Sequence, residues 1–147
     1  MPLYFAYGSN MSSARLRARV GDVGVQGRAV LAAHEHQFSK RGSDGTGKGH
    51  VAPHAWRSVH GVVYALADEQ LVRLAEFEGG YVAANLPVAM PAGPIVTATT
   101  FVALRPGDAA PPSTSYLDHY RLGFLEHAIP RDYALAVLRD AGDLRPL

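Results

Sequence analysis

The sequence predicts an α+β fold in which a compact sheet or barrel is covered by helices. Apolar and β-branched strand patterns fill most of the first two thirds of the 147 residues, and helical periodicity dominates the last third. Apolar residues make up 48% of the chain and charged residues 18%, as is typical of a globular protein. The length suits one hydrophobic core, and no internal repeat is visible, so we expect a single domain over 1–147.

Four strands and one short helix are predicted in the N-terminal half. In order they are a buried strand at 2–7, a helix from Ser12 to Arg19 capped by Asn10 or Ser12 and ended by Gly21, two strands within 23–39, a loop from Lys40 to Gly49, and a central strand from Ser58 to Leu66. The central strand is nearly continuous in apolar and β-branched residues, which favours burial on both faces.

The C-terminal half begins with a helix and a strand pair and ends in two helices. The predicted elements are a helix capped by Asp68 and ending at Phe77, strands at Tyr81 to Met90 and Ile95 to Leu104, a linker from Arg105 to Pro112, a helix from Ser113 or Ser115 to about His127, and a last helix from Pro130 to near Gly142. Gly79 and Gly80 permit the left-handed stop that ends the first of these helices.

Composition excludes several classes of function. A net charge of +1 argues against a nucleic-acid surface, and the arginines at 15, 17 and 19 are expected to spread over a solvated helix face. The absence of cysteine excludes disulfides and thiolate catalysis. No apolar run approaches the roughly 20 residues of a membrane span, and no targeting pattern precedes the first strand. We therefore expect a cytoplasmic protein that binds neither nucleic acid nor membrane.

The glycine-rich segment at 40–49 imitates a phosphate-binding loop. Gly42, Gly47 and Lys48 have the G-x-x-x-x-G-K spacing, but Gly49 stands where a serine or threonine should hold magnesium. The following residues also start a helix poorly. A flexible loop is the favoured interpretation, and nucleotide binding is kept as a rival.

The stretch from Leu3 to Met11 is the first candidate site, because a strand there runs through Gly8 into a helix. Backbone N–H groups at such a junction lack partners and lie at the positive end of a helix dipole. They could receive an anion or polarise a carbonyl group. A turn without a ligand is the structural alternative.

Glu78 is the second candidate. Its carboxyl group lies at the C-terminus of a predicted helix, where the dipole disfavours negative charge, and burial beside Phe77 would raise its pKa further. Such a carboxyl group could act as a general base. An ordinary exposed glutamate at a frayed helix end is the alternative.

Other candidates have weaker patterns. His34 with His36 and His50 with His54 could ligate a metal, but no recognised metal-binding spacing is present, and we predict no metal site. Ser9 could be a nucleophile, but it lacks the G-x-S-x-G elbow and a motif-placed His–Asp pair.

Taken together, the motifs resemble the γ-glutamylcyclotransferase-like family, which includes the AIG2-like proteins. The resemblance rests on segments in the family's order: Tyr4 to Met11, His60 to Tyr64, Leu74 to Gly79, and a C-terminal segment with Pro112-Ser113, Tyr116-Leu117, Gly123, and Ile129-Pro130 with Tyr133. It implies a small mixed β-barrel with flanking helices and a cavity at one end.

The resemblance also implies a reaction and a site. Glu78 would be the acid/base in the cyclisation of a γ-glutamyl compound to 5-oxoproline, which requires no cofactor. The partner would be a small-molecule γ-glutamyl substrate, and the protein a monomer or homodimer. The substrate-binding residues would be Tyr4, Phe5, Ala6, Tyr7, Gly8, Ser9, Asn10 and Phe101.

One position departs from the family pattern. Phe101 stands where better known members carry a tyrosine that contacts substrate, so a hydroxyl group is missing. A binding module with the same fold but weak or no turnover therefore remains the alternative to an enzyme. The glycine-rich segment at 40–49 is expected to form a rim of the cavity.

Overall fold

A computed structural model describes the chain from Met1 to Leu147 as five strands and four α-helices. The elements are β1 Leu3–Ala6, α1 Ser13–Val20, β2 Gly24–Arg41, β3 Gly47–Ala65, α2 Asp68–Phe77, β4 Tyr81–Ala89, β5 Ile95–Ala103, α3 Thr114–Glu126 and α4 Arg131–Asp140. A 3-10 turn at Ser9–Met11 joins β1 to α1.

The five strands close into a barrel in the order β1-β3-β2-β4-β5. Tyr4 pairs in parallel with Thr99 of β5 and so closes the ring, whereas the other neighbouring strands are antiparallel. The predicted α+β class with a small mixed barrel and flanking helices is therefore confirmed.

The two strands predicted within 23–39 are wrong: this segment belongs to β2, which is one strand of 18 residues. Register shifts interrupt its pairing with β3 at Val25/Gly27, Ala32/His34 and Gln37/Lys40. Gly27 has φ 133° and Ala33 has φ 57°, both in the left-handed half of conformational space. The apparent turn signals are thus β-bulges, which bend a strand without ending it.

The loop predicted at 40–49 is also shorter than expected, because β2 continues to Arg41 and β3 begins at Gly47. The reversal between them is held by a hydrogen bond from the Gly42 N–H to the Thr46 carbonyl (2.9 Å). Lys48 lies in a strand, whereas a phosphate-binding loop requires this lysine at a helix N-terminus. The nucleotide-binding interpretation is therefore not supported.

The helices lie close to their predicted positions. Ser12 Oγ accepts a hydrogen bond from the Arg15 N–H, and Ser113 Oγ accepts one from the Tyr116 N–H, so these two serines cap α1 and α3. Asp68 is the first helical residue of α2 and not its cap. Glutamine at position 70 satisfies this helix end by accepting from the Ala67 N–H at 2.8 Å.

The larger of two core clusters packs α1, α3 and α4 against the barrel, around the fully buried Tyr64, Tyr120 and Leu16. Gly123 of α3 lies against the 3-10 turn, where an added Cβ would come within 2.5 Å of Met11 Cβ. This close approach fixes the turn that follows β1 onto α3. None of the helices is long and apolar enough to cross a bilayer.

Candidate active site

A cavity of about 590 Å³ opens between the segment after β1, helix α1, the β2–β3 reversal and the end of α2. Its volume is in the range of small-molecule sites. Its lining is rich in tyrosines, cations and glycines: Tyr4, Tyr7, Gly8, Ser9, Asn10, Arg15, Arg19, Lys40, Gly42, Ser43, Lys48, Gly49, Glu76, Phe77, Glu78, Gly79, Tyr81, Phe101 and Tyr116.

Glu78 is the residue that ends α2, and its side chain turns into the cavity with 15% of its surface exposed. Its Oε1 accepts a hydrogen bond from Asn10 Nδ2 at 3.1 Å. Arg19 Nη1 lies 3.8 Å from the same oxygen. Both contacts are made by Oε1. The carboxyl group is therefore held through one oxygen while the residue still lines the cavity.

Asn10 connects the two candidate regions that the sequence separates by 68 positions. Its Nδ2 also donates to the Tyr4 hydroxyl at 3.0 Å, and its Oδ1 accepts from Arg19 Nη1 at 3.3 Å. The residue is only 4% exposed. With both amide hydrogens and its oxygen engaged, Asn10 fixes the orientation of Glu78 relative to the β1 loop.

Burial is the main influence on the Glu78 carboxyl group and raises its pKa. Arg19, the hydrogen bond from Asn10, Arg15 and Lys40 each act in the opposite direction, but burial outweighs them. A carboxyl group with a raised pKa is a stronger base when ionised and can also return a proton.

The segment from Gly8 to Asn10 lines the cavity and carries backbone N–H groups without a backbone partner. The Gly8 N–H makes no hydrogen bond within the chain, and the N–H groups of Ser9 and Asn10 find no partner in their own 3-10 turn. A Cβ at Gly8 would lie 3.0 Å from the Tyr120 hydroxyl, so any other residue there would require the Tyr120 side chain to shift by a few tenths of an ångström.

Ser9 lines the cavity beside these donors, and its Oγ accepts a hydrogen bond from Arg15 Nε at 3.0 Å. No histidine contacts this oxygen among the hydrogen bonds of the structure. The geometry gives no base for the nucleophile hypothesis.

The structure does not bring all the predicted substrate-binding residues to the cavity. Tyr4, Tyr7, Gly8, Ser9, Asn10 and Phe101 line it, together with Glu78. Phe5 and Ala6 do not: their side chains are 0% and 1% exposed and belong to the hydrophobic core. Alternation along β1 directs Phe5 away from the face that carries Tyr4. Ala6 shares the face of Tyr4 but packs into the larger core cluster and does not line the cavity.

Sequence reasoning missed two cavity arginines. Arg15 and Arg19 were expected on a solvated helix face, but both line the cavity, one turn of α1 apart. Arg17 points elsewhere and donates to Ser13 Oγ. The i, i+4 spacing of Arg15 and Arg19 was the available signal, since residues so spaced share one side of a helix.

A second group of missed residues consists of tyrosines that surround Gly49. The Tyr81 hydroxyl donates to the Gly49 carbonyl at 2.6 Å, and the Gly49 N–H donates to the Tyr116 hydroxyl at 2.9 Å. Tyr7, which the sequence did predict, lies beside them and donates to the Phe101 carbonyl at 2.5 Å. Burial raises the pKa of Tyr7, Tyr81 and Tyr116, so their hydroxyls stay protonated and neutral.

The histidines proposed as metal ligands make other contacts. His36 Nε2 lies 2.7 Å from the Tyr120 hydroxyl, and desolvation lowers the pKa of His36 to about 3. His50 Nδ1 accepts from the Ala103 N–H at 3.0 Å. No three histidine, aspartate or glutamate side chains come together in a group that could hold a metal ion.

The fold and cavity define a closed-barrel protein with a buried, hydrogen-bonded carboxyl group in a cavity of small-molecule size. The family model described as γ-glutamyl cyclotransferase, AIG2-like, matches residues 4–122. The chain therefore belongs to the γ-glutamyl cyclotransferase, AIG2-like family. A comparison with curated protein sequences gave no match.

Solved structures agree with this family. A protein described as γ-glutamyl cyclotransferase is 26% identical, with a TM-score of 0.86 over 92% of this chain and 85% of that one. The uncharacterised human protein loc79017 is 28% identical, with a TM-score of 0.85 over 92% of this chain and 85% of that one. A yeast γ-glutamyl cyclotransferase specific to glutathione shares the fold at 11% identity and a TM-score of 0.66, covering 98% of this chain and 96% of that one.

Proposed function

We propose that this protein cyclises the γ-glutamyl group of a small γ-glutamyl compound to 5-oxoproline and releases the amine or amino acid. The observation that carries the proposal is Glu78: a largely buried carboxyl group with a raised pKa, hydrogen-bonded through Asn10 to a loop of backbone donors in the same cavity. Family membership supports the same reaction class.

Glu78 would move both protons of the reaction. The substrate's α-ammonium group gives a proton to the Glu78 carboxylate, and the free amine attacks the γ-carbonyl carbon of the same molecule. A new C–N bond closes the five-membered ring. When the tetrahedral intermediate collapses, the protonated Glu78 gives this proton to the leaving nitrogen as the original amide C–N bond breaks. The Glu78 carboxylate then takes the second proton from the new ring nitrogen and passes it to the released amine, so the products are a neutral lactam and an ammonium ion.

The loop after β1 would stabilise the charge that develops during this attack. The free N–H of Gly8, with those of Ser9 and Asn10, can donate to the oxyanion of the tetrahedral intermediate. Because the attack is intramolecular, a cavity that holds the substrate folded supplies much of the acceleration.

Arg15 would bind the α-carboxylate of the glutamyl group. Its Nε donates a hydrogen bond to Ser9 Oγ in the loop after β1, and its Nη1 lies 3.1 Å from His119 Nε2. Neither partner is a carboxylate, so its charge is available to an anionic ligand. Arg19 is instead engaged by Glu78 and Asn10.

A binding module without turnover is the rival that Phe101 kept open. The phenylalanine ring packs against Tyr4 at a centroid distance of 6.0 Å and offers no hydroxyl group. However, Tyr4, Tyr81 and Tyr116 provide hydroxyl groups in the same cavity. Their presence favours the enzyme over the binding module.

The test is 5-oxoproline formation from a panel of γ-glutamyl amino acids, γ-glutamyl amines and glutathione, with wild type and Glu78→Gln. We expect the variant to fold and to lose roughly 10²–10⁴-fold in turnover, as for a missing general acid/base. Glu69→Gln, on the exposed N-terminal turn of α2, is the control and should retain activity. Equal turnover by wild type and Glu78→Gln would refute the assigned role.

A further inference from the structure

Lys40 is a cation held at the rim of the cavity, near the end of β2. Its Nζ lies 5.3 Å from the centre of the Tyr81 ring, a cation–π distance. Its side chain crosses Gly80, where an added Cβ would come within 2.8 Å of Lys40 Cε. The missing side chain at Gly80 and the ring of Tyr81 therefore determine where this ammonium group lies.

The ammonium group of Lys40 has no carboxylate partner in the protein. It forms no salt bridge, whereas the neighbouring rim cation, Lys48, lies 3.7 Å from the Asp44 carboxylate. Lys40 is nevertheless near enough to Glu78 to act on the pKa of that carboxyl group. The rim thus presents one half-buried ammonium group without a carboxylate partner, beside the proposed base.

The proposed reaction explains which part of a substrate would meet Lys40. The glutamyl group would be held at the β1 loop, with its own carboxylate at Arg15. The leaving group then extends from Glu78 toward the rim, where Lys40 lies. If the leaving group is an amino acid, it brings a second carboxylate to this place, and an amine brings none.

We propose that Lys40 binds the carboxylate of the leaving amino acid and so makes the cavity selective for γ-glutamyl amino acids over simple γ-glutamyl amines. This inference rests on the function proposed above. Glu76 is the acidic side chain that could oppose it at the cavity, but it is exposed to solvent, which screens its charge.

The experiment compares two substrates that differ by one carboxylate, γ-glutamyl-alanine and γ-glutamylethylamide. Lys40→Met keeps the length and the apolar stem of the side chain but removes its charge. We expect kcat/KM to fall about tenfold for γ-glutamyl-alanine and to change by less than about twofold for γ-glutamylethylamide. Arg41→Met, on the exposed opposite face of the same strand, should alter neither value.

If Lys40→Met loses kcat/KM equally on both substrates, or on neither, the selectivity role is overturned while the proposed reaction stays intact. If wild type forms no 5-oxoproline from either compound, the proposed reaction fails, and calorimetric binding then decides the role of Lys40. The role of Lys40 is supported if wild type binds γ-glutamyl-alanine more tightly than γ-glutamylethylamide and if Lys40→Met weakens the binding of γ-glutamyl-alanine about tenfold. Equal affinity of wild type for the two compounds refutes this role.

Discussion

Replacing Gly49 by alanine should destabilise the protein through one identifiable contact. The added Cβ would lie 2.3 Å from the Tyr120 hydroxyl oxygen, whereas non-bonded carbon and oxygen atoms are comfortable at about 3.5 Å. One of the two groups must therefore move by about 1 Å. Tyr120 is fully buried and its hydroxyl is hydrogen-bonded to His36, so the ring cannot yield easily.

We expect Gly49→Ala to lower the free energy of unfolding by about 3 kcal/mol, near the upper end of the range for overpacked cores. Gly49 cannot yield easily either, because its carbonyl and N–H groups are held by Tyr81 and Tyr116. For a chain of this length, a loss of that size lowers the melting temperature by about 6–12 °C. Urea unfolding followed by circular dichroism measures the free energy directly.

A double-mutant cycle identifies the contact responsible. Tyr120→Phe removes the oxygen nearest to the new methyl group, so Gly49→Ala should cost only about 1 kcal/mol in that background. The expected coupling energy is therefore about 2 kcal/mol. If Gly49→Ala costs the same in both backgrounds, the clash with Tyr120 is not the cause and the reasoning fails.

Two further predictions concern stability. Because the folded-state pKa of Glu78 is raised, the folded protein binds this proton more tightly than the unfolded chain, and stability falls as pH rises from the unfolded pKa through the folded pKa. Glu78→Gln should therefore be more stable than wild type at pH 8 and equal to it near pH 4 in urea unfolding; an equal difference at both pH values would contradict this. Ser12→Ala should cost about 1 kcal/mol through loss of the α1 cap, measured in the same way against exposed Ser115→Ala, and equal losses would refute the capping role.

Local sequence patterns were sufficient to predict an element where the pattern ran without interruption. Helix α2 ends at Phe77 as predicted, because its apolar periodicity stops before two glycines. The same ending placed Glu78 at a helix terminus. The bulges of β2 were misleading, because Gly27 and Ala33 have the conformations of turn residues while the strand continues through them.

The site was predicted only in part, because most of its contacts join distant segments. Backbone donors after β1 and a carboxyl group at Glu78 could be inferred from local chemistry. The bridge between them, the Asn10 side chain, could not, because it depends on how the barrel closes. Tyr81 and Tyr116 likewise reach the cavity by meeting the backbone of Gly49, which no sequence spacing indicates.

The parallel closure between β1 and β5 has a consequence for how the protein becomes competent during folding. The Thr100 hydroxyl donates to the Phe5 carbonyl across 95 positions of chain, and such distant pairings form slowly. The loop with Gly8 and Asn10 is carried by β1, while Glu78 is carried by the segment between β3 and β4. Docking of β1 therefore completes the barrel and aligns the two parts of the site in the same event.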